Sequence, residues 1–118
     1  MENLNEKIVK FLNEKNKTIS FMESCTGGFL ANEITNVSGA SNVLKVSLVT
    51  YSNEYKKKFG VTKSTLEKYT VYSKETAKEM AKNISNFANS DIGVGITGEL
   101  RELCKRREQS ILLHIWCK

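Results

Sequence analysis

Apolar residues recur every three or four positions in LNEKIVKFLNEK, residues 4 to 15, and set Leu4, Ile8, Phe11 and Leu12 on one helical face. The period then shortens. Thr18 to Met22 reads as a short strand ending in a polar turn, and Gly27 and Gly28 stand at the mouth of a helix carrying Phe29, Leu30 and Ile34. Val46 to Ser52 is β-branched and apolar, as a buried strand is. NEYKKKFG makes a short helical turn stopped by Gly60, and TKSTLEKY a second short helix. The clearest helix follows Ser73, a capping residue. Its stripe of Ala77, Met80, Ala81, Ile84, Phe87 and Ala88 is predicted to be core. Asp91 to Thr97 reads as a third strand, with glycines where something approaches the backbone closely. Strand, glycine turn and helix in this order predict an α/β fold. The tail breaks the pattern. ELRELCKRREQS is charged and helix-prone, ILLHIWC is a solid apolar run, and neither continues what precedes it.

The 118 residues suffice for one domain, and 40% hydrophobic with 26% charged residues is a globular mixture. A net charge of +5 favours a solvated surface over a nucleic-acid site, because no aromatic-basic stripe accompanies it. No apolar run reaches the length of a membrane span, so no membrane partner is expected. Met1 to Lys10 has no leader pattern, and Cys25, Cys104 and Cys117 are an odd set; free thiols in a reducing cytoplasm are the expectation. The single histidine, His114, and the scattered cysteines predict no metal site. Cys25 reads as a small buried hydrophobe and His114 as packed or exposed rather than catalytic.

Two constellations carry chemistry. ESCTGG, Glu23 to Gly28, follows a strand and opens a helix, where free N–H groups favour an anion. The plainer reading of the same residues is a tight turn capped by Thr26. The second set is Ser41, Tyr51 and Lys56. Without a nearby histidine, a lysine or a tyrosinate can take the proton of a serine nucleophile. Burial would lower the lysine's pKa. Geometry constrains the set, since a strand from Val46 to Tyr51 separates its ends by roughly 16 Å. Ser41 therefore meets Tyr51 only if residues 41 to 45 double back, or if Ser41 comes from another subunit.

Five segments in order, covering about residues 3 to 98, resemble the C-terminal domain of the CinA competence/damage-inducible family. ESCTGGFLANEIT is similar to its E-S-C-T-G-G helix start, SGAS to its P-G-S-S turn, and VTYSNEYKKKFGV to its Y-S-N-x-x-K motif. VYSKETAKEMA and DIGVGITG are similar to a later helix and strand of that family. The resemblance implies a three-layer α/β/α sandwich and hydrolysis of the carboxamide of nicotinamide mononucleotide, without a cofactor. It places the catalytic serine, tyrosine and lysine at Ser41, Tyr51 and Lys56. Asn53, Thr97 and Gly98 lie in two of these motifs and join the substrate-binding candidates. Ser24, Thr26, Gly27 and Gly28 are assigned to the ribose phosphate on helix-terminus physics.

The likeness stops at Gly98. The expected organisation is an amidase-like domain over 1–98, incomplete at its C-terminal end, and a divergent tail over 99–118. Loss of the family's next strand predicts an open sheet edge and apolar surface, and a tail that does not fold onto the domain predicts self-association or disorder driven by Ile111 to Trp116. The expected partners are a small nucleotide substrate and further copies of the chain. The rival reading is a non-catalytic nucleotide-binding or interaction module, distinguished by the lack of Ser41-dependent ammonia release.

Overall fold

The computed structural model describes residues 3–99 and 110–118. Its architecture is an α/β domain around a mixed four-stranded sheet. Helix α1 (Leu4–Lys15) starts where the Asn3 side chain accepts from the Glu6 N–H and stops at Asn16 in left-handed geometry. Strand β1 (Ile19–Glu23) is buried at every position, and helix α2 (Phe29–Thr35) follows Gly27 and Gly28, both at positive φ. One tight helical turn, Ala40–Asn42, leads into β2 (Leu44–Val49). Helices α3 (Asn53–Lys58), α4 (Lys63–Tyr69) and α5 (Lys74–Ala88) are capped by Ser52, Thr62 and Ser73. Strands β3 (Ile92–Glu99) and β4 (Ser110–Cys117) complete the sheet in the order β2-β1-β3-β4. β1 runs parallel to β2 and β3, and β4 is antiparallel to β3.

Alternation along the strands divides the core in two. Ile19 and Phe21 of β1, with Val94 and Ile96 of β3, pack on Val9 and Leu12 of α1 and Ile34 of α2. On the other face Met22 joins Met80 and Ile84 of α5, Val61, and the half-buried Val46 and Leu48 of β2. Helices therefore cover both faces of the sheet. In α1 Leu12 of the expected face is buried and Ile8 packs half-buried against the core, but Val9 joins them in place of Leu4 and Phe11, which are exposed. Phe87 also leaves the expected core. It lies at the end of α5, 62% exposed, with its ring edge-on to Phe59 at 5.5 Å.

Element ends shift for identifiable reasons. β1 begins at Ile19 because the N–H and hydroxyl of Thr18 both donate to the Asp91 carboxylate. β2 ends at Val49, three residues before the expected end, because the carbonyls of Thr50 and Tyr51 turn to Lys56 and Ser52 caps α3. What approaches the β3 glycines is the backbone of α5.

The apolar tail corrects the expectation of an open edge on β3. Ile111 to Cys117 pair with Gly98 to Ile92, so β4 occupies that edge. Leu112, His114 and Trp116 face α5, where the Lys82 ammonium lies 5.4 Å from the Trp116 ring centre. Ile111, Leu113 and Ile115 point to the other face and are 52%, 53% and 56% exposed. The charged, helix-prone stretch 100–109 lies outside the described residues.

Candidate functional site

The parallel strands end together. Glu23 pairs with Val49, and two residues beyond the Met22–Gly95 pair lie Ser24 and Thr97, so Ser24, Thr50 and Thr97 share one level across the sheet. This is the carboxyl end, where α/β sheets hold their ligands. Thr97 is buried, and its hydroxyl donates to the Val71 carbonyl at 2.9 Å, which ties the segment before α5 to this end. Gly98 is buried in β3, and Asn53 is exposed in the first turn of α3.

Lys56 defines the site. Helix α3 directs this lysine inward, where it is only 1% exposed. Its Nζ lies 2.9 Å from Ser24 Oγ, 2.6 Å from the Thr50 carbonyl and 3.2 Å from the Tyr51 carbonyl. Burial pushes its pKa below the ordinary lysine value, and the nearby Cys25 opposes this weakly. The three partners differ in one respect. Carbonyl oxygens can only accept, whereas the Ser24 hydroxyl can also donate. In the neutral amine the two N–H groups satisfy Thr50 and Tyr51, and the lone pair is left for the Ser24 proton. That is the arrangement of a general base and its nucleophile.

The Ser41, Tyr51 and Lys56 set is distributed otherwise. Ser41 is exposed in the turn before β2 and lines a shallow pocket of about 280 Å³ with Thr35, Val37, Gly39, Ala40 and Leu44. Residues 41 to 45 do not double back, so Ser41 and Tyr51 lie at opposite ends of β2. Tyr51 gives Lys56 its carbonyl, while its ring is 77% exposed. Lys56 thus meets Ser24 and not Ser41.

The glycine turn also departs from expectation. The N–H groups of Leu30 and Ala31, in the first turn of α2, donate to the carboxylate of Glu23 at 2.9 and 3.2 Å. Thr26 Oγ1 donates to the same carboxylate at 2.8 Å. Of the residues assigned to the ribose phosphate, Thr26 is thus taken up by an internal carboxylate, together with the first two free N–H groups of α2. A phosphate there would face like charge. Sequence reasoning missed Glu23, although a lone acid closing the apolar strand ISFME signals a buried carboxylate that needs donors. Cys25 is half-buried, and desolvation raises its thiol pKa, so it is not an activated thiolate. Among the described residues no group of three or more His, Cys, Asp or Glu could hold a metal ion.

The CinA C-terminal domain family matches residues 1–100. A provisionally named competence-damage inducible protein of Thermoanaerobacter pseudethanolicus is 52% identical over 98 residues, which are 82% of this chain and 24% of that protein. A CinA-like protein of Kosmotoga olearia is 49% identical over 98 residues, with the same shares. The chain spans about a quarter of the length of these curated relatives. The crystal structure of the competence/damage inducible protein CihA from Agrobacterium tumefaciens superposes with a TM-score of 0.90 at 27% identity, over 98% of this chain and 72% of that one. A CinA superfamily protein from Escherichia coli gives 0.90 at 26% identity, over 99% and 70%.

Proposed function

Because the chain belongs to the CinA C-terminal domain family, we propose that it is an amidase acting on the carboxamide of nicotinamide mononucleotide. The observation that carries the chemistry is the 2.9 Å contact between the buried Lys56 amine and Ser24 Oγ at the carboxyl end of the sheet. Lys56 takes the Ser24 proton as Oγ attacks the carboxamide carbon. The same proton then passes to the departing nitrogen, which leaves as ammonia and gives an acyl ester on Ser24. Water attacks the ester, Lys56 takes and returns its proton, and the carboxylic acid leaves with Ser24 restored. The exposed Tyr51 ring offers a face to the pyridine, and Asn53 is one turn from Lys56 at the same rim. Ser41 stays in the proposal as the alternative nucleophile, supplied by a second copy of the chain.

Ammonia release from nicotinamide mononucleotide by the wild type, Ser24→Ala and Ser41→Ala decides between the serines. Loss of turnover in Ser24→Ala, with Ser41→Ala retaining it, is the expected result. The reverse would give the role to Ser41, and mixing inactive Ser41→Ala with inactive Lys56→Met subunits would then restore activity. No release from folded wild type would remove the amidase reading and leave a binding module.

The proposal includes self-association through β4. Among the described residues no strand lies outside β4, and Ile111 to Cys117 carry neither charge nor proline against strand addition. A two-fold antiparallel pairing of two β4 strands sets the exposed Ile111, Leu113 and Ile115 rows side by side. Light scattering after size exclusion is expected to give a dimer that Leu113→Lys converts to monomer. A wild-type monomer at high micromolar concentration would count against this pairing.

A further inference from the structure

Glu23 is fully buried, and its side chain has no part in the proton transfers above. Its carboxylate has four partners. One oxygen accepts from Thr26 Oγ1 at 2.8 Å and from the Leu30 N–H at 2.9 Å. The other accepts from the Ala31 N–H and from Ser47 Oγ, both at 3.2 Å. These donors come from the glycine turn, the first turn of α2 and the neighbouring strand β2. One residue therefore joins three elements that meet under Ser24.

The backbone of Glu23 holds the other side of the site. Its carbonyl accepts from the Thr50 N–H at 2.8 Å, and the Thr50 carbonyl in turn accepts from Lys56 Nζ at 2.6 Å. Ser24 follows Glu23 directly in the chain. Both partners of the 2.9 Å contact are thus anchored to Glu23, the nucleophile through the turn and the base through Thr50. The burial of a carboxylate is tolerated only with such a set of donors, and here each donor fixes a different element.

We infer that Glu23 is the positioning residue of the Ser24–Lys56 pair, with its carboxylate standing where an external anion would otherwise bind the turn. The inference rests on the reading of Ser24 and Lys56 as the working pair. It assigns the glycine turn to holding the nucleophile and moves the substrate phosphate away from the α2 start.

The test reads Ser24 directly. A fluorophosphonate phosphonylates an activated serine with loss of fluoride, and peptide mass spectrometry locates the modified residue. The wild type, Glu23→Gln and Ser47→Ala are compared at equal folded fraction, measured by circular dichroism and thermal unfolding. Ser47→Ala removes one donor of four and keeps the test decisive if Glu23→Gln does not fold. Wild type is expected to label at Ser24. Glu23→Gln is expected to label about 10–100-fold more slowly, the size of loss that follows a displacement near 1 Å. Ser47→Ala is expected to slow severalfold, and in both variants kcat falls while KM stays within about twofold, as for an interaction made in the transition state. Folded variants that label at the wild-type rate overturn the positioning role and leave the pair intact. Wild-type labelling at Ser41, or absent from Ser24, overturns the pair and this inference with it.

Discussion

Lys56→Met is expected to abolish ammonia release while leaving the fold standing. Methionine fills a volume close to that of the lysine stem but has no proton to take or give. Loss of a positioned general base costs typically about 10²–10⁴ in rate. Stability receives two opposed contributions. The variant leaves Ser24 Oγ and the carbonyls of Thr50 and Tyr51 without their Lys56 partner, at about 1–3 kcal/mol for each one that stays dry. It also removes the cost of burying an ammonium.

The pH dependence separates these contributions. Folding lowers the Lys56 pKa through desolvation, so between that depressed value and the ordinary 10.5 the unfolded chain binds more protons than the folded one. This contribution to wild-type stability is therefore complete above the ordinary lysine value and is lost as pH falls through the depressed one. Lys56→Met lacks it. Activity follows the same group and rises with pH as Lys56 loses its proton, with a midpoint below 10.5. Urea unfolding at several pH values and a pH profile of kcat/KM read both effects. A Met variant retaining more than about a tenth of the rate would remove Lys56 from the chemistry, given the usual size of that loss.

Most of the fold was legible because its elements announce themselves locally. Ser73 caps α5, Ser52 caps α3, and Gly27 and Gly28 open α2 at positive φ, each a feature of a few adjacent residues. The tail was not legible. ILLHIWC alternates no polarity, and only its pairing with β3 separates the α5-facing Leu112, His114 and Trp116 from the exposed Ile111, Leu113 and Ile115. In the site, Lys56 was readable as a base whose burial would depress it. Its partner was not, because Ser24 is 32 residues away in sequence and reaches Lys56 only when β1 and β2 end side by side. Ser41 lies much nearer Lys56 in the chain, yet a strand stands between them. Sequence proximity favours Ser41, whereas the contact made within one copy of the chain is to Ser24. The glycine turn was hard to read for a related reason: a helix start calls for negative charge, and the sequence did not say that Glu23 would supply it from within.

Gly95→Ala is expected, with Gly93→Ala, to be among the most destabilising single-methyl changes in the sheet. A Cβ at Gly95 would run into the Ala77 carbonyl and lie 2.6 Å from the Ala81 nitrogen and 2.8 Å from Met80 Cβ. At Gly93 it would run into the Ala81 carbonyl and lie 2.9 Å from Ser85 Cβ. Most of these atoms are helix backbone, which cannot rotate aside as a side-chain tip can, so α5 must lift from β3. Lifting it opens the contact of Met80 and Ile84 with Met22 and Val61, an entire face of the core. Overpacking of this kind costs about 3 kcal/mol or more, and at roughly 4–8 °C per kcal/mol the midpoint of thermal unfolding falls by more than about 10 °C. Gly27 provides the contrast, because nothing lies within 4 Å of a Cβ there and its φ of +60° is the only obstacle. Gly27→Ala should cost no more than the 1–2 kcal/mol or so of left-handed strain. If thermal unfolding shows Gly95→Ala to be the milder of the two, α5 does not pack backbone to backbone on β3. The level at which Thr97 meets the segment before α5 would then also need redrawing, because α5 sets its height above the sheet.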